Sequence, residues 1–434
     1  MKRFICCGCS LLCDDVLVGM DGSKIDKMLG VCLKGKERID QVNSENRITK
    51  PMIRKGGDLK AVEWEKAMEK VKELLGKSSN PLLYGFSNST CEAQAKAIEL
   101  AQTIDGYIDS NSAICQGKVM DVIKEKGVNL TSLTEILNKS DVITLWGANP
   151  IESIPRLINK ILFSRGKFRM TGREIKTIII VDPLKTASRG VMQVRDLALQ
   201  IEPDKDLELI RVLQDKYRED KPLPDKITGI DKSDIKRFLL NLSKAENGVI
   251  IVGQGLIHPH EGRETLNELI RLVNLVNENS EKGRLSLLMM GGHYNMAGFE
   301  QMALTLTGKH NSIQFKNDQL QDTDKTLVDK IADEDFDLSF FMGTDPISHF
   351  PSTLSKKIAS KPIIVADNRQ SGTTMLADVV LPTAITGVEC GGTAIRLDQV
   401  PIEVKGIFEP PEKVPTDEEL LTNIIAKQTG GDEE

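Results

Sequence analysis

The 434-residue chain is long enough for two or three domains, and its 40% apolar and 28% charged residues are the balance of an ordinary globular protein. With 4% aromatic residues, a formal net charge of −6 and no basic stripe, neither a stacking surface for single strands nor a duplex-binding footprint is expected. No apolar run approaches the length of a membrane span, and the short apolar stretch after Lys2 and Arg3 is broken by cysteines and runs into Asp14 and Asp15, so it does not read as a signal peptide. A cytoplasmic protein with reduced thiols is the expectation.

The first 50 or so residues read as a small cap with no α/β pattern of its own. Five of the eight cysteines fall within the first 32 residues, which favours metal ligation over disulfides. Cys6, Cys9 and Cys13 form a C-x2-C-x3-C run, and Cys32 follows in Val31-Cys32-Leu33-Lys34-Gly35. Four converging thiolates suit a [4Fe–4S] cluster or a structural zinc. Three crowded cysteines plus one distant partner match the iron–sulfur clasp better than the two separated pairs usual for zinc. Cys7 reads as a buried bystander, since using it would leave a C-x-C spacing. From the residues alone Lys34 reads as a solvated lysine, followed as it is by Lys36 and Arg38.

After residue 50, short apolar runs recur, each ending in Gly, Asp or Asn. They lie at 81–84, 142–146, 177–181, 249–252, 285–290, 338–342 and 362–365. Uninterrupted β-branched runs read as strands buried on both faces, the mark of parallel sheets. Helical patterns separate several of them. Ser89-x-x-Glu92 reads as a capping box opening a helix through Ile104, and Leu266, Leu269, Ile270, Val273 and Val276 follow helical spacing. Alternating strands and helices give doubly wound α/β layers, whose ligands sit at the carboxyl ends of the strands, where this sequence places its small and acidic residues. No loop is G-x-G-x-x-G or a P-loop, no G-x-S-x-G occurs, and the five histidines form no ligand pair. Cys91, Cys115 and Cys390, taken singly, read as small buried residues. The last stretch, 409–434, is proline-marked and acidic and reads as a helix over 417–428 with a frayed tail.

In their order along the chain these segments resemble the catalytic B subunit of tungsten- or molybdenum-dependent formylmethanofuran dehydrogenases, within the molybdopterin oxidoreductases related to formate dehydrogenases. The resemblance runs through the cysteine clasp with Leu11-Leu12-Cys13-Asp14-Asp15, Cys32-Leu33-Lys34-Gly35, Cys115 with Gly117, and Trp146-Gly147-Ala148-Asn149-Pro150. It continues through Val181-Asp182-Pro183, Gly253-Gln254-Gly255, Gly292-His293-Tyr294-Asn295, Asp345-Pro346 with His349, and Gly392 to Pro401. It implies a [4Fe–4S] cluster on Cys6, Cys9, Cys13 and Cys32, Lys34 bridging cluster and pterin, and Cys115 as protein ligand to tungsten or molybdenum. Two pyranopterin guanine dinucleotides (bis-molybdopterin guanine dinucleotide) would hold that metal, with Asn149, Asp182, Gly253, Asn295, Asp345 and Asp367 as cofactor contacts and Gln116 and His293 near the reacting centre.

The resemblance also implies an inserted α/β domain over 133–245 within a discontinuous one, 51–132 and 246–408. No run of strands remains for the C-terminal barrel of larger relatives, so a small barrel-type partner subunit is expected, with a metal-dependent hydrolase-like subunit and ferredoxin-like electron-transfer subunits. The activity implied is reversible reduction of CO2 to formate. Two residues depart from the pattern: Gln116 stands where the family commonly has His, and Gly291 where it tends to have Arg. Gln cannot exchange a proton near neutral pH, and Gly offers no cation to a carboxylate. They leave open a paralogue acting on another substrate, or a non-redox scaffold in a formyltransferase/hydrolase assembly.

Overall fold

The apolar runs become the inner strands of two sheets. In the computed structural model, residues 1–21, 24–167, 172–258, 260–280 and 283–430 are described. They divide into two units, one of residues 1–117, 293–396 and 401–434, the other of 118–292 and 397–400.

The first unit is built on a nine-stranded sheet among the described residues. Its centre is parallel, running Tyr107–Ser110, Pro81–Gly85, Leu338–Met342, Ile363–Ala366 and Val379–Leu381. Antiparallel strands close both edges, Ile313–Lys316 and Gln319–Gln321 on one side, Met52–Lys55 and Asp58–Ala61 on the other. The runs Pro81–Gly85 and Leu338–Met342 are buried at every position, as strands covered on both faces must be. The helix Cys91–Thr103 lays Ala93, Ala97, Ile98 and Ala101 on this sheet, joined by Leu420, Leu421 and Ile424 of the helix Asp417–Thr429. The C-terminal stretch is therefore part of the core; the tail expected at 431–434 lies outside the described residues. The capping box expected at Ser89 and Glu92 does not form: the N-cap is Thr90, which accepts from the Ala93 N–H, and the Glu92 carboxylate accepts from the Thr393 N–H at 3.0 and 3.1 Å.

At the N-terminus a three-stranded antiparallel sheet, Lys2–Cys6, Cys13–Asp21 and Lys24–Leu29, leads into the helix Leu33–Asp40. By its contacts this cap belongs to the first unit.

The second unit carries a five-stranded parallel sheet in the order Leu197–Leu199, Thr177–Val181, Val142–Trp146, Asn247–Val252, Arg284–Met289. The insert expected over 133–245 thus comes out wider, 118–292. The runs at 247–252 and 284–289 hydrogen-bond into the Val142–Trp146 sheet, not into the sheet of the first unit. The helix Gly262–Glu278 buries Leu266, Leu269, Ile270, Val273 and Val276 as its spacing requires, each contributing about 1.5–3 kcal/mol. Among the described residues no helix is long and apolar enough to cross a membrane.

Candidate functional site

The clasp is assembled by a hairpin and a helix start. Cys6 ends the first strand and pairs in register with Cys13 on the second. Between them the chain turns tightly, the Leu12 N–H donating to the Cys9 carbonyl at 3.2 Å with Leu12 at φ 42°. Cys32 is the N-cap of the helix Leu33–Asp40, so Lys34 and Gly35 lie in its first turn. Close approach is what the small residues permit. A Cβ on Gly35 would lie 2.7 Å from Cys6 Sγ, and one on Gly8 2.9 Å from the Gly35 Cα. Burial first, then the charges of Cys13, Cys9 and Cys32, push Cys6 up to about 12 against a hydrogen bond from the Gly8 N–H, while burial, Cys13 and Cys32 push Cys9 up to about 11 against a hydrogen bond from the Leu11 N–H and the charge of Lys34. Cys7 is buried and packs with Leu12, Tyr294 and Val404. Among the described residues no three His, Cys, Asp or Glu side chains close on a single-ion site.

Beside the clasp lies a polar cavity of about 260 Å³, with Cys7, Gly8, Lys34 and Arg38 on its clasp side. The rest of its wall comes from the carboxyl ends of adjacent parallel strands: Asn88 after Pro81–Gly85, Thr344 and Asp345 after Leu338–Met342, Asp367 and Arg369 after Ile363–Ala366. Gly85, at φ 123°, has no room for a side chain, since a Cβ would lie 2.2 Å from the Met342 carbonyl oxygen. That contact lets the two chains leave the sheet together, with the Phe86 N–H donating to Met342 O at 3.0 Å.

Of the residues singled out in the sequence, the cavity brings together Lys34, His293, Asp345 and Asp367. His293 is pushed down to about 4 by burial and by the neighbouring charges of His349 and Lys34, so it is neutral near pH 7; its Nδ1 has no hydrogen-bond partner. Asp345 caps the short helix Pro346–His349. Burial works against its charge, but hydrogen bonds from Thr373 (2.6 Å from Oγ1, 2.9 Å from N) and Ser348 outweigh it and hold the carboxyl below the usual range. Asp367 is 6% exposed and pushed up to about 6 by burial, with Arg369, the backbone N–H groups of Arg369 and Asn368, and Arg38 opposing. Arg38, one helical turn beyond Lys34, donates to the Thr386 carbonyl at 3.0 Å and lies over the Tyr294 ring. Arg369 pairs with Glu37 at 3.5 Å.

Asn295 does not join them. It is fully buried, and both ends of its carboxamide serve the backbone: Nδ2 donates to Ser89 O at 2.8 Å, and Oδ1 accepts from the Ile395 N–H at 2.7 Å. It ties three chain segments together. Asn149, Asp182 and Gly253 belong to the second unit, each just past the end of an adjacent parallel strand. There Asn149 Oδ1 accepts from Ser188 at 2.8 Å, Asp182 accepts from the Leu184 N–H at 2.8 Å, and a Cβ on Gly253 would lie 2.2 Å from the Gly147 carbonyl oxygen.

Cys115 follows the 3-10 turn Asn111–Ile114 and is buried, as is Gln116. Gln116 Nε2 donates to both carboxylate oxygens of Glu300, at 3.1 and 3.0 Å. Glu300 is 2% exposed, and burial, with the charge of Asp109 adding, pushes it up to about 7. Neither Glu300 nor Asp109 was singled out in the sequence. An acid inside the apolar stretch Met296-Ala297-Gly298-Phe299-Glu300 was the available signal for the first; for Arg38 it was the four-residue spacing from Lys34 on one helix face.

A family model described as molybdopterin oxidoreductase matches residues 47–427. The chain is 31% identical to the B subunit of tungsten-containing formylmethanofuran dehydrogenase 2 from Methanocaldococcus jannaschii over 98% of both chains. Among solved structures, acetylene hydratase from Pelobacter acetylenicus superposes with a TM-score of 0.73 at 13% identity, covering 99% of this chain and 69% of that one. A chain of the formyltransferase/hydrolase complex from Methylorubrum extorquens, solved with methylofuran, superposes with a TM-score of 0.70 at 19% identity, covering 88% of this chain and 99% of that one. At those identities the two structures speak for the fold alone.

Proposed function

The chain belongs to the molybdopterin oxidoreductase family, as a relative of the B subunits of tungsten-containing formylmethanofuran dehydrogenases, and from that premise we propose that this oxidoreductase is the redox subunit of such a complex, interconverting CO2 and formate. The balance is CO2 + 2 e⁻ + H⁺ giving HCOO⁻. One observation carries the proposal: the four-cysteine clasp and the polar strand-end cavity share a wall, and Lys34 stands in it, its charge felt by Cys9 on one side and His293 on the other.

The donor set fits a [4Fe–4S] cluster. The donors on offer are four thiols in the three-plus-one spacing, and Gly8 and Gly35 let the loop and the helix start approach closely. The cavity fits one end of a pyranopterin guanine dinucleotide. Lys34, Arg38 and Arg369 suit phosphate oxygens, and Asp345 and Asp367 offer acceptors to hydroxyl or guanine N–H donors. In the second unit Asn149, Asp182 and Gly253 form a comparable strand-end ledge for the other dinucleotide. Cys115 would be the protein ligand to tungsten or molybdenum. When bound, the pterin-held metal supplies the two-electron exchange at the substrate carbon. The chain's own part is to position that group, bring electrons past Lys34, keep His293 neutral and hold Gln116 beside Cys115. Formate would pass to a hydrolase-like partner subunit for transfer to methanofuran, with a small barrel-type subunit completing the pterin site and ferredoxin-like subunits delivering electrons in the cytoplasm.

Metal analysis of the anaerobically purified native complex tests this. Iron, pterin and either tungsten or molybdenum are expected; iron and pterin without either heavy metal would sink the proposal, and zinc in place of iron would sink its electron inlet.

A second reading, a paralogue in the same fold acting on another substrate, is favoured by Gln116 and Gly291. The double variant Gln116→His, Gly291→Arg separates the two. A rise in CO2 reduction supports an altered substrate end, and a fall supports a site already matched to CO2.

A further inference from the structure

Gln116 presents two different polar ends, and only one is used. Its Nε2 is spent on Glu300, while its Oε1, in a residue 4% exposed, is buried with no hydrogen-bond partner. A buried carbonyl left unpaired is costly, so this end stands as an available acceptor. Glu300 is held from three directions. Gln116 reaches it from just after Cys115, the Ser112 side chain from the turn before Cys115, and the charge of Asp109 acts from the strand Tyr107–Ser110. A run of polar groups continues behind it: Ser112 Oγ lies 3.0 Å from Ser110 Oγ, and the Ser110 N–H donates to Asp109 at 2.8 Å. Asp109 in turn accepts from Tyr107 Oη at 3.1 Å and from the Ser312 N–H at 3.0 Å, with Tyr84 close enough to feel its charge and Lys330 over the Tyr107 ring.

We propose that Glu300 is a positioning residue that acts through Gln116, its proton deciding which end of the Gln116 carboxamide is turned away from it. As a carboxylate Glu300 is acceptor-only, so it takes the two Nε2–H bonds seen here and leaves Oε1 as the presented acceptor. Once protonated, Glu300 gains an O–H donor whose natural partner is a carbonyl. The carboxamide then turns over, and its NH2 becomes the presented donor. One proton taken up by Glu300 thus converts an acceptor into a donor, with no bond made or broken elsewhere. The burial that raises Glu300 to about 7 places this exchange near neutral pH. The proposal rests on the redox reading for its purpose and on the Gln116–Glu300 pair for its existence.

Difference infrared spectroscopy of the purified complex across pH 5 to 9 reads the acid directly, through the carbonyl stretch of a protonated carboxyl. A band titrating near neutral pH is expected. It should vanish in Glu300→Gln and move in midpoint in Glu300→Asp. In Gln116→Leu the midpoint should rise by about one pH unit, because the two hydrogen bonds favouring the charged form are gone. Should Glu300→Gln fail to fold, the Gln116→Leu shift decides alone: an unmoved midpoint overturns the pair. The link to Cys115 is read from the paramagnetic signal of the half-reduced heavy metal. Its pH dependence should share the infrared midpoint and disappear in Glu300→Gln; a dependence that persists unchanged there overturns the proposal. Absence of tungsten and molybdenum would instead remove the redox reading while leaving the infrared result standing.

Discussion

At the N-terminus four thiols are gathered from one continuous stretch, Cys6 to Cys32, by a hairpin and the first turn of a helix. Next to Cys115, Gln116 meets a polar cluster drawn from three separate elements: the turn Asn111–Ile114, the strand Tyr107–Ser110 and the helix Met296–Thr307. The first region offers four thiols, and the second sets a neutral amide, Gln116, beside its one thiol. Local geometry fixes the clasp, so losing any one member breaks it. The Cys115 region is a long-range arrangement, in which a change at one position is answered by a partner far along the chain, as Glu300 answers Gln116.

Separate ablations would test that division most strongly. In Cys13→Ser, iron and the cluster's spectroscopic signature should be lost with all turnover, tungsten or molybdenum being retained. In Cys115→Ser, iron should remain and turnover should fall to background. If each variant empties both centres, the two regions are not independent. Asn295→Ala comes next. It strands the Ser89 carbonyl and the Ile395 N–H in the core, and about 3 kcal/mol of stability should go. Chemical denaturation reads that loss, and metal and pterin content per folded molecule should stay at the wild-type level, as a structural tie requires. Lys34→Met should leave both centres filled and slow electron delivery about tenfold, about 1.4 kcal/mol of barrier. Stopped-flow reduction of the heavy metal, compared with reduction of the cluster, isolates that step.

What could be read from the sequence follows the same local-versus-distant line. The runs Val142–Trp146, Thr177–Val181 and Leu338–Met342 are uninterrupted because both faces are covered, and the residues after them are small or acidic because they form the ledges. The cysteine spacing likewise carries its own geometry. An apolar run does not say which sheet it joins: Asn247–Val252 and Arg284–Met289 look like any inner strand, and only their hydrogen bonds to Val142–Trp146 place them in the second unit. Asn295 stands at a strand–helix junction, where ligand contacts are common, yet its amide is consumed by backbone groups close to it only in space. Asp417 reaches the cavity wall from the C-terminal helix, and no local pattern announces a residue delivered from so far along the chain.

The smallest expected effect concerns the acid behind Glu300. Asp109 is fully buried, and burial pushes it up to about 7 from 3.8, against hydrogen bonds from the Ser110 and Ser312 N–H groups and from Tyr107. A folded-state value above the unfolded one means that the native chain holds the proton the unfolded chain has released. The stability this confers is complete below about pH 4 and is lost as pH rises through about 7. Between pH 6 and 7 the loss amounts to about 1 kcal/mol, since the full slope is 1.36 kcal/mol per unit and native Asp109 is half ionised at the upper end. In Asp109→Asn that component is absent. The fall in thermal midpoint from pH 6 to 7 should therefore be shallower than in the wild type, even if the variant is less stable at both values. No comparable flattening is expected from Asp345→Asn, because Asp345 is already ionised across that window. A parallel slope in Asp109→Asn would mean that the buried pair behind Cys115 does not hold a proton near neutral pH, and the pH sensitivity argued for Glu300 would then have to come from Glu300 unaided.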